Sequence, residues 1–138
     1  MRLKGFDYSD PDAVFFVTIR AAKDTYPFVD PDTAGTAVAH IEDLRRRFGA
    51  SIYAYTVMPD HAHVLTRLET GKFPLGQVIG AYKSLVARAW PAQGNTGDLW
   101  QAKFYDHIVR RDEELERTID YILDNPVRKG LVDQPEKY

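Results

Sequence analysis

Two apolar runs in quick succession constrain this chain more than any other feature. Ile52 to Val57 and His61 to Leu68 are rich in β-formers, and only Met58-Pro59-Asp60 separates them. Pro followed by Asp favours a turn, so the spacing predicts an antiparallel hairpin. Side chains two apart on a strand share a face. In the second run Ala62, Val64, Thr66 and Leu68 then suit a core, while His61, His63, Leu65 and Arg67 face the other way. Two imidazoles at i and i+2 can grip one divalent metal, because neutral imidazole is a common ligand. The same pair also fits two polar residues on a sheet surface, so the rest of the chain has to decide.

Around the hairpin the pattern alternates between strand and helix. Ala13 to Arg20 is a β-rich run and the expected first strand. Ala21 to Asp32 reads as a loop, and Asp30-Pro31 or Asp32-Thr33 can open a helix. Val38, Ile41, Leu44 and Phe48 form its apolar stripe, with Gly49 placed to end it. After the hairpin, Leu75, Val78, Ile79, Tyr82, Leu85, Val86 and Ala89 form a second stripe. Pro91 to Asp98 is a loop by composition, and Leu99 to Val109 is the fourth strand. Asp112 to Asn125 is a third helix, with Glu113 and Glu114 in its first turn, where the dipole favours acids, and Pro126 at its end. The order is that of an α+β, ferredoxin-like split βαβ sandwich (βαββαβ) with an added C-terminal helix. In that topology the first and third strands are central, which puts the histidine pair mid-sheet. The first two helices cover one face and leave the other for a site.

Length and composition narrow the class. The chain has 138 residues, 44% of them apolar, which suits one globular domain over 1–138. No apolar run approaches the roughly 20 residues of a membrane helix, and Met1 to Asp12 lacks the apolar core of a signal peptide. There is no cysteine, so disulfides and thiolate metal sites are excluded and a cytoplasmic setting is expected. Net charge is −2, so any nucleic-acid site has to be a local patch. The candidates are Arg45, Arg46, Lys83, Arg88, Lys103, Arg110, Arg128 and Lys129.

The third helix carries an aromatic in an unexpected place. With Leu115 at zero on a wheel of 3.6 residues per turn, Ile119, Ile122 and Leu123 cluster within about 80° as the buried stripe. Tyr121 falls near 240° and Asn125 near 280°, together on the polar side and one turn apart. An amphipathic tyrosine covering a neighbour would sit there too. An amide oxygen at Asn125 can ligate a hard cation, however, and its spacing lets Tyr121 reach the same locus. Two imidazoles and an amide oxygen, without sulfur, suit Mg²⁺ or Mn²⁺ beside a phosphate. A tyrosine there is a plausible nucleophile.

These residues resemble a known family. MPDHAHVL is similar to the His-hydrophobic-His (HUH) motif of single-tyrosine transposases of small insertion sequences. LWQAKFYDHIVRRDEELERTIDYILDNPVRKGLV resembles the corresponding segment of REP-associated tyrosine transposases, in its WQ, DH, YI, NPV and GLV elements. The resemblance implies that His61, His63 and Asn125 are metal ligands and Tyr121 the nucleophile. It implies cleavage and rejoining of single-stranded DNA next to hairpins through a 5′-phosphotyrosine link, without ATP. The implied partner is hairpin-bearing single-stranded DNA, not a membrane, and a second copy of the chain is a further candidate. Ala62 stands where members often carry a bulky aliphatic, and its side chain is expected on the core face.

Two rival readings remain at this level. A non-covalent nucleic-acid module could stack bases on Tyr53 and Tyr55. A metal-dependent phosphodiesterase could use water and leave Tyr121 structural. Tyr82 and Tyr105 are alternative nucleophiles; Tyr82 lies in an apolar stripe, and Tyr105 has no amide ligand at helical spacing. His107 is expected to be a hydrogen-bonded strand histidine, and Trp100-Gln101 has no assigned role.

Overall fold

The computed structural model describes residue 8 and residues 10–91, 97–109 and 113–128. Four strands form one antiparallel sheet: β1 (Val14–Ala21), β2 (Ala50–Met58), β3 (His61–Leu68) and β4 (Trp100–Val109). Their order is β2-β3-β1-β4, so β1 and β3 are central, as the split βαβ reading requires. Helices α1 (Pro31–Phe48) and α2 (Leu75–Ala89) cross between strands, and α3 (Glu113–Arg128) follows β4.

Alternation sorts the strands into two faces. Phe15, Val17 and Ile19 of β1 and Ala62, Val64 and Leu68 of β3 join Ile41, Leu44, Val78, Ile79 and Tyr82 in the main core. Fully burying each large apolar side chain contributes about 1.5–3 kcal/mol, so this helix-covered face carries most of the stability. On the other face Val14, Ala54, Leu65, Val109 and Ile122 form a smaller core, with Phe16, Leu115 and Ile119 packed against it.

Local chemistry fixes the helix ends. Asp30 caps α1, its carboxylate accepting from Thr33 N at 3.1 Å and from Thr33 Oγ1 at 2.8 Å. Gly49 ends α1 at φ +65°, where a Cβ would come within 2.6 Å of Thr70 Cγ2.

The structure departs from the expected elements in four places. Within the loop after β1, Pro27–Val29 makes a 3-10 turn that composition alone hid. Strand β2 starts two residues early, at Ala50, and a register shift between Ile52 and Ala54 broke the clean alternation that would have revealed its start. Helix α3 runs through Pro126 to Arg128; a proline so close to a helix end forfeits one hydrogen bond, and the last turn survives it. Leu123 belongs to no buried stripe, being 45% exposed, whereas Ile122 is fully buried. The buried stripe of α3 is narrower than the wheel allowed, because the helix leans chiefly on the edge strand β2.

Among the described residues no helix is long and apolar enough to cross a membrane.

Candidate active site

His61 and His63 open β3 on the face opposite α1 and α2. The hairpin turn before them is pinned by two backbone bonds, Ala21 N to Asp60 O at 2.8 Å and Phe28 N to Pro59 O at 3.1 Å. The two rings lie 4.6 Å apart between centroids, and each residue is only 6% exposed. They are therefore not surface histidines of the bland kind. Phe16 packs against His63 at 5.1 Å between ring centroids, and Met58, paired with His61 across the hairpin, is fully buried.

Each imidazole is oriented through Nδ1. His61 Nδ1 donates to Asp60 Oδ1 at 2.7 Å, and His63 Nδ1 pairs with Thr18 Oγ1 at 3.1 Å. Nδ1 is thus occupied in both rings, and Nε2 is the nitrogen each would offer a cation. Partners of this kind fix ring orientation, and a carboxylate partner also raises ligand basicity. The Asp60 carboxyl sits below its ordinary value: burial pushes it up, but its hydrogen bond to His61, the charge there, its own backbone and the Arg20 charge outweigh that. Sequence reasoning missed Asp60 and Thr18 as members of the site. A carboxylate directly before the pair, and a lone hydroxyl inside an otherwise apolar strand, were the available signals.

Tyr121 arrives from α3. Its ring centroid lies 6.2 Å from that of His63 and 6.3 Å from that of Phe16, both edge-on, and the residue is 40% exposed. The helix leans on β2 and meets the sheet through Ile122, Leu115 and Ile119, which turns Tyr121 toward the pair. Asn125 lies one turn further along α3; its side chain is outside the described residues.

The remaining candidates divide. Arg45 Nη2 donates to Ile52 O at 3.1 Å, Arg46 pairs with Asp43 at 2.7 Å, and Lys83 Nζ donates to Gln101 O at 2.7 Å and Ala102 O at 3.2 Å. These three, and the exposed Arg88, belong to the two helices on the far face. Burial pushes the Lys83 ammonium below its usual value. Lys103 is exposed on β4. Arg110 and Lys129, and the side chain of Arg128, lie outside the described residues.

The rival tyrosines also separate. Tyr82 is fully buried on the helix side and donates to Ala37 O at 3.0 Å, which removes it as a nucleophile. Tyr55 packs against the main core, so only Tyr53 of the two proposed stacking residues is exposed. Tyr105 is 50% exposed and lies on the histidine face. His107 Nε2 meets Glu114 Oε1 at 2.9 Å, as expected of a hydrogen-bonded strand histidine. The Trp100-Gln101 pair acts as a clasp: Trp100 Nε1 donates to Lys83 O at 3.1 Å and Gln101 Nε2 to Ala21 O at 3.0 Å. It fastens the start of β4 to α2 and to the end of β1.

Residues 16–125 match the profile of the family described as Transposase IS200 like. The chain belongs to the IS200-like transposase family. Its match takes in β1 from Phe16 onward, the histidine pair and α3 as far as Asn125. A protein of Haemophilus influenzae described as a candidate REP-associated tyrosine transposase is 29% identical over 90 residues, covering 58% of this chain and 51% of its own length. A REP-associated tyrosine transposase of Escherichia coli K12 is 29% identical over 83 residues, 60% of this chain and 48% of that protein. This member of the IS200-like family thus spans about half the length of the curated relatives it matches. Among solved structures, a REP-associated tyrosine transposase bound to a REP hairpin superposes with TM-score 0.80 at 22% identity, covering 100% of this chain and 80% of that one. A candidate transposase of Deinococcus radiodurans superposes with TM-score 0.59 at 20% identity, covering 91% and 96%. Both establish the fold.

Proposed function

We propose that this chain cleaves and rejoins single-stranded DNA beside hairpins, with Tyr121 as nucleophile. His61, His63 and Asn125 would hold a divalent cation, Mg²⁺ or Mn²⁺. The observation that carries the reading is two buried imidazoles, each oriented through Nδ1, with a tyrosine ring 6.2 Å from the second of them. That donor set fits a cation: nitrogen ligands with a carboxylate behind one of them. When bound, the cation supplies Lewis-acid polarisation of a phosphate oxygen.

The chain's own residues account for the rest. Tyr121 Oη forms the new bond to phosphorus, and the bond from phosphorus to the 3′ oxygen breaks. The phenolic proton leaves Tyr121, and the departing 3′ oxygen ends as a hydroxyl. The 5′ phosphate stays on the tyrosine. Attack by a 3′-hydroxyl reverses the exchange, so bond energy is conserved and no ATP is needed. The partly buried Phe16 ring, 6.3 Å from that of Tyr121, shields one side of the link from water, which favours rejoining over hydrolysis. Hairpin recognition is supported by the structural relative that was solved with a REP hairpin.

The test is a denaturing gel after incubation with hairpin-bearing single strands and Mn²⁺. A covalent adduct mapping to Tyr121 is the expected result. Cleavage without an adduct would instead mean that water attacks, and binding without cleavage would mean a non-covalent module.

A further inference from the structure

Among the described residues, helix α3 packs chiefly on β2 and reaches the far ends of β1 and β4 at Val14 and Val109, while Arg20, Lys103 and Tyr105 on the β1–β4 side stay exposed. We propose that this exposed strip seats single-stranded DNA next to the scissile phosphate, with Tyr105 stacking a base and Arg20 and Lys103 holding phosphates. The inference rests on the nuclease reading above and extends it to three residues outside the histidine–tyrosine constellation.

Register places the strip. Thr18 of β1 pairs with His63 on one side and with Tyr105 on the other. Residues directly opposite on antiparallel strands share a face, so His63, Thr18 and Tyr105 form one row across the sheet. Two strand spacings of about 4.8 Å put Tyr105 about 10 Å from His63. Phe104 packs against the main core, so Tyr105, in regular register with Thr18, points to the histidine side; Lys103, just before Phe104, is exposed at the register irregularity beside Arg20. Arg20 pairs with His61, and the irregular register between Ile19 and Ala21 sets it beside the start of β4.

Chemistry selects the occupant. A half-exposed aromatic alone is unremarkable on a protein surface. Here it lies near two exposed cations, Arg20 and Lys103, which form no hydrogen bond or salt bridge among the described residues. Among the described residues the acids beside Tyr105 and Lys103 are turned away or engaged, while Arg20 lines a pocket with Asp24 and Asp60 and its charge acts on Asp60. Asp106 pairs with Val17 of the main core and so faces the helices; Glu114 meets His107; Asp60 is bound to His61. A chain of net charge −2 therefore carries a locally cationic row with a flat ring in it. That combination tracks a phosphate backbone and stacks its bases without regard to sequence.

The experiment measures anisotropy of labelled hairpin oligonucleotides, with and without a single-stranded flank, on the full chain. Tyr105→Ala should weaken binding of the flanked oligonucleotide by about 5- to 100-fold, the range of stacking losses on alanine substitution, and leave the bare hairpin unchanged. Tyr105→Phe should bind like the parent, since the ring is kept. Arg20→Ala and Lys103→Ala should each flatten the log–log salt dependence by about 0.7. Unchanged flank binding in Tyr105→Ala overturns the inference. So does an equal loss in Tyr105→Phe, which would make the hydroxyl the active feature. A parent protein that forms the Tyr121 adduct but gains nothing from a flank overturns the strip alone. A parent that binds no single strand and forms no adduct overturns the nuclease reading itself.

Discussion

At the residue scale the site is a set of side chains that each hold another in place. Asp60 illustrates this most directly, because its carboxylate orients His61 at 2.7 Å without belonging to the histidine motif. Asp60→Ala is expected to weaken Mn²⁺ affinity by about 10- to 100-fold, the scale for residues that support metal ligands. Calorimetric titration of Mn²⁺ checks it, and unchanged affinity would leave Asp60 as a turn residue only. Tyr121→Phe keeps the ring contacts to His63 and Phe16 but removes the oxygen proposed to attack phosphorus. Covalent capture should vanish while hairpin binding and thermal stability persist; an adduct that survives in this variant would shift the chemistry to another residue. The sequence made the histidines and Tyr121 readable because spacing alone sets their faces. It could not show that the histidines are buried, because that depends on Phe16 and Met58 arriving from other parts of the sheet.

At the scale of elements the legible parts were those with strong local signals. Strand β3 has the expected bounds, Asp30 and Gly49 cap α1 as their chemistry suggests, and α2 follows its apolar stripe. The misread parts were those where tertiary contact decides: the start of β2 at a bulge, the 3-10 turn clasped to the hairpin, and the buried edge of α3. Ile122 is the one fully buried side chain among the described residues of α3, so it should hold the helix to the sheet. Ile122→Ala is expected to cost about 2–5 kcal/mol in urea unfolding, as for other large-to-small core changes. It should also reduce adduct formation, because Tyr121 rides on the same helix. Full stability in this variant would mean that the helix is held by contacts other than the small core.

For the whole molecule, the sheet separates a stability face from the face that carries the proposed site. Tyr82 lies deep in the first, and burial pushes its phenol far above the usual range. The folded state keeps this proton while the unfolded chain, with a tyrosine pKa near 10, gives it up. The stabilisation is therefore complete below about pH 10 and is lost as pH rises toward the folded value. Thermal melts should show an alkaline decline beginning near pH 10, and it should be shallower in Tyr82→Phe. An equal decline in both proteins would assign alkaline sensitivity elsewhere. The split βαβ architecture was readable because the order of strands and helices admits few right-handed, short connections. The asymmetric placement of α3 was not, since it depends on which edge offers apolar partners.

The central position of β3 has a consequence for the time scales within the site. His63 and Val64 lie on a strand bonded on both sides, whereas Tyr121 sits on a helix anchored by a handful of apolar side chains. In hydrogen exchange the amides of β3 should open only with global unfolding, and those around Tyr121 by a cheaper local event. The two halves of the constellation then answer to different clocks: a fixed floor where the proposed reaction would hold the phosphate, and an arm that would bring the tyrosine to it.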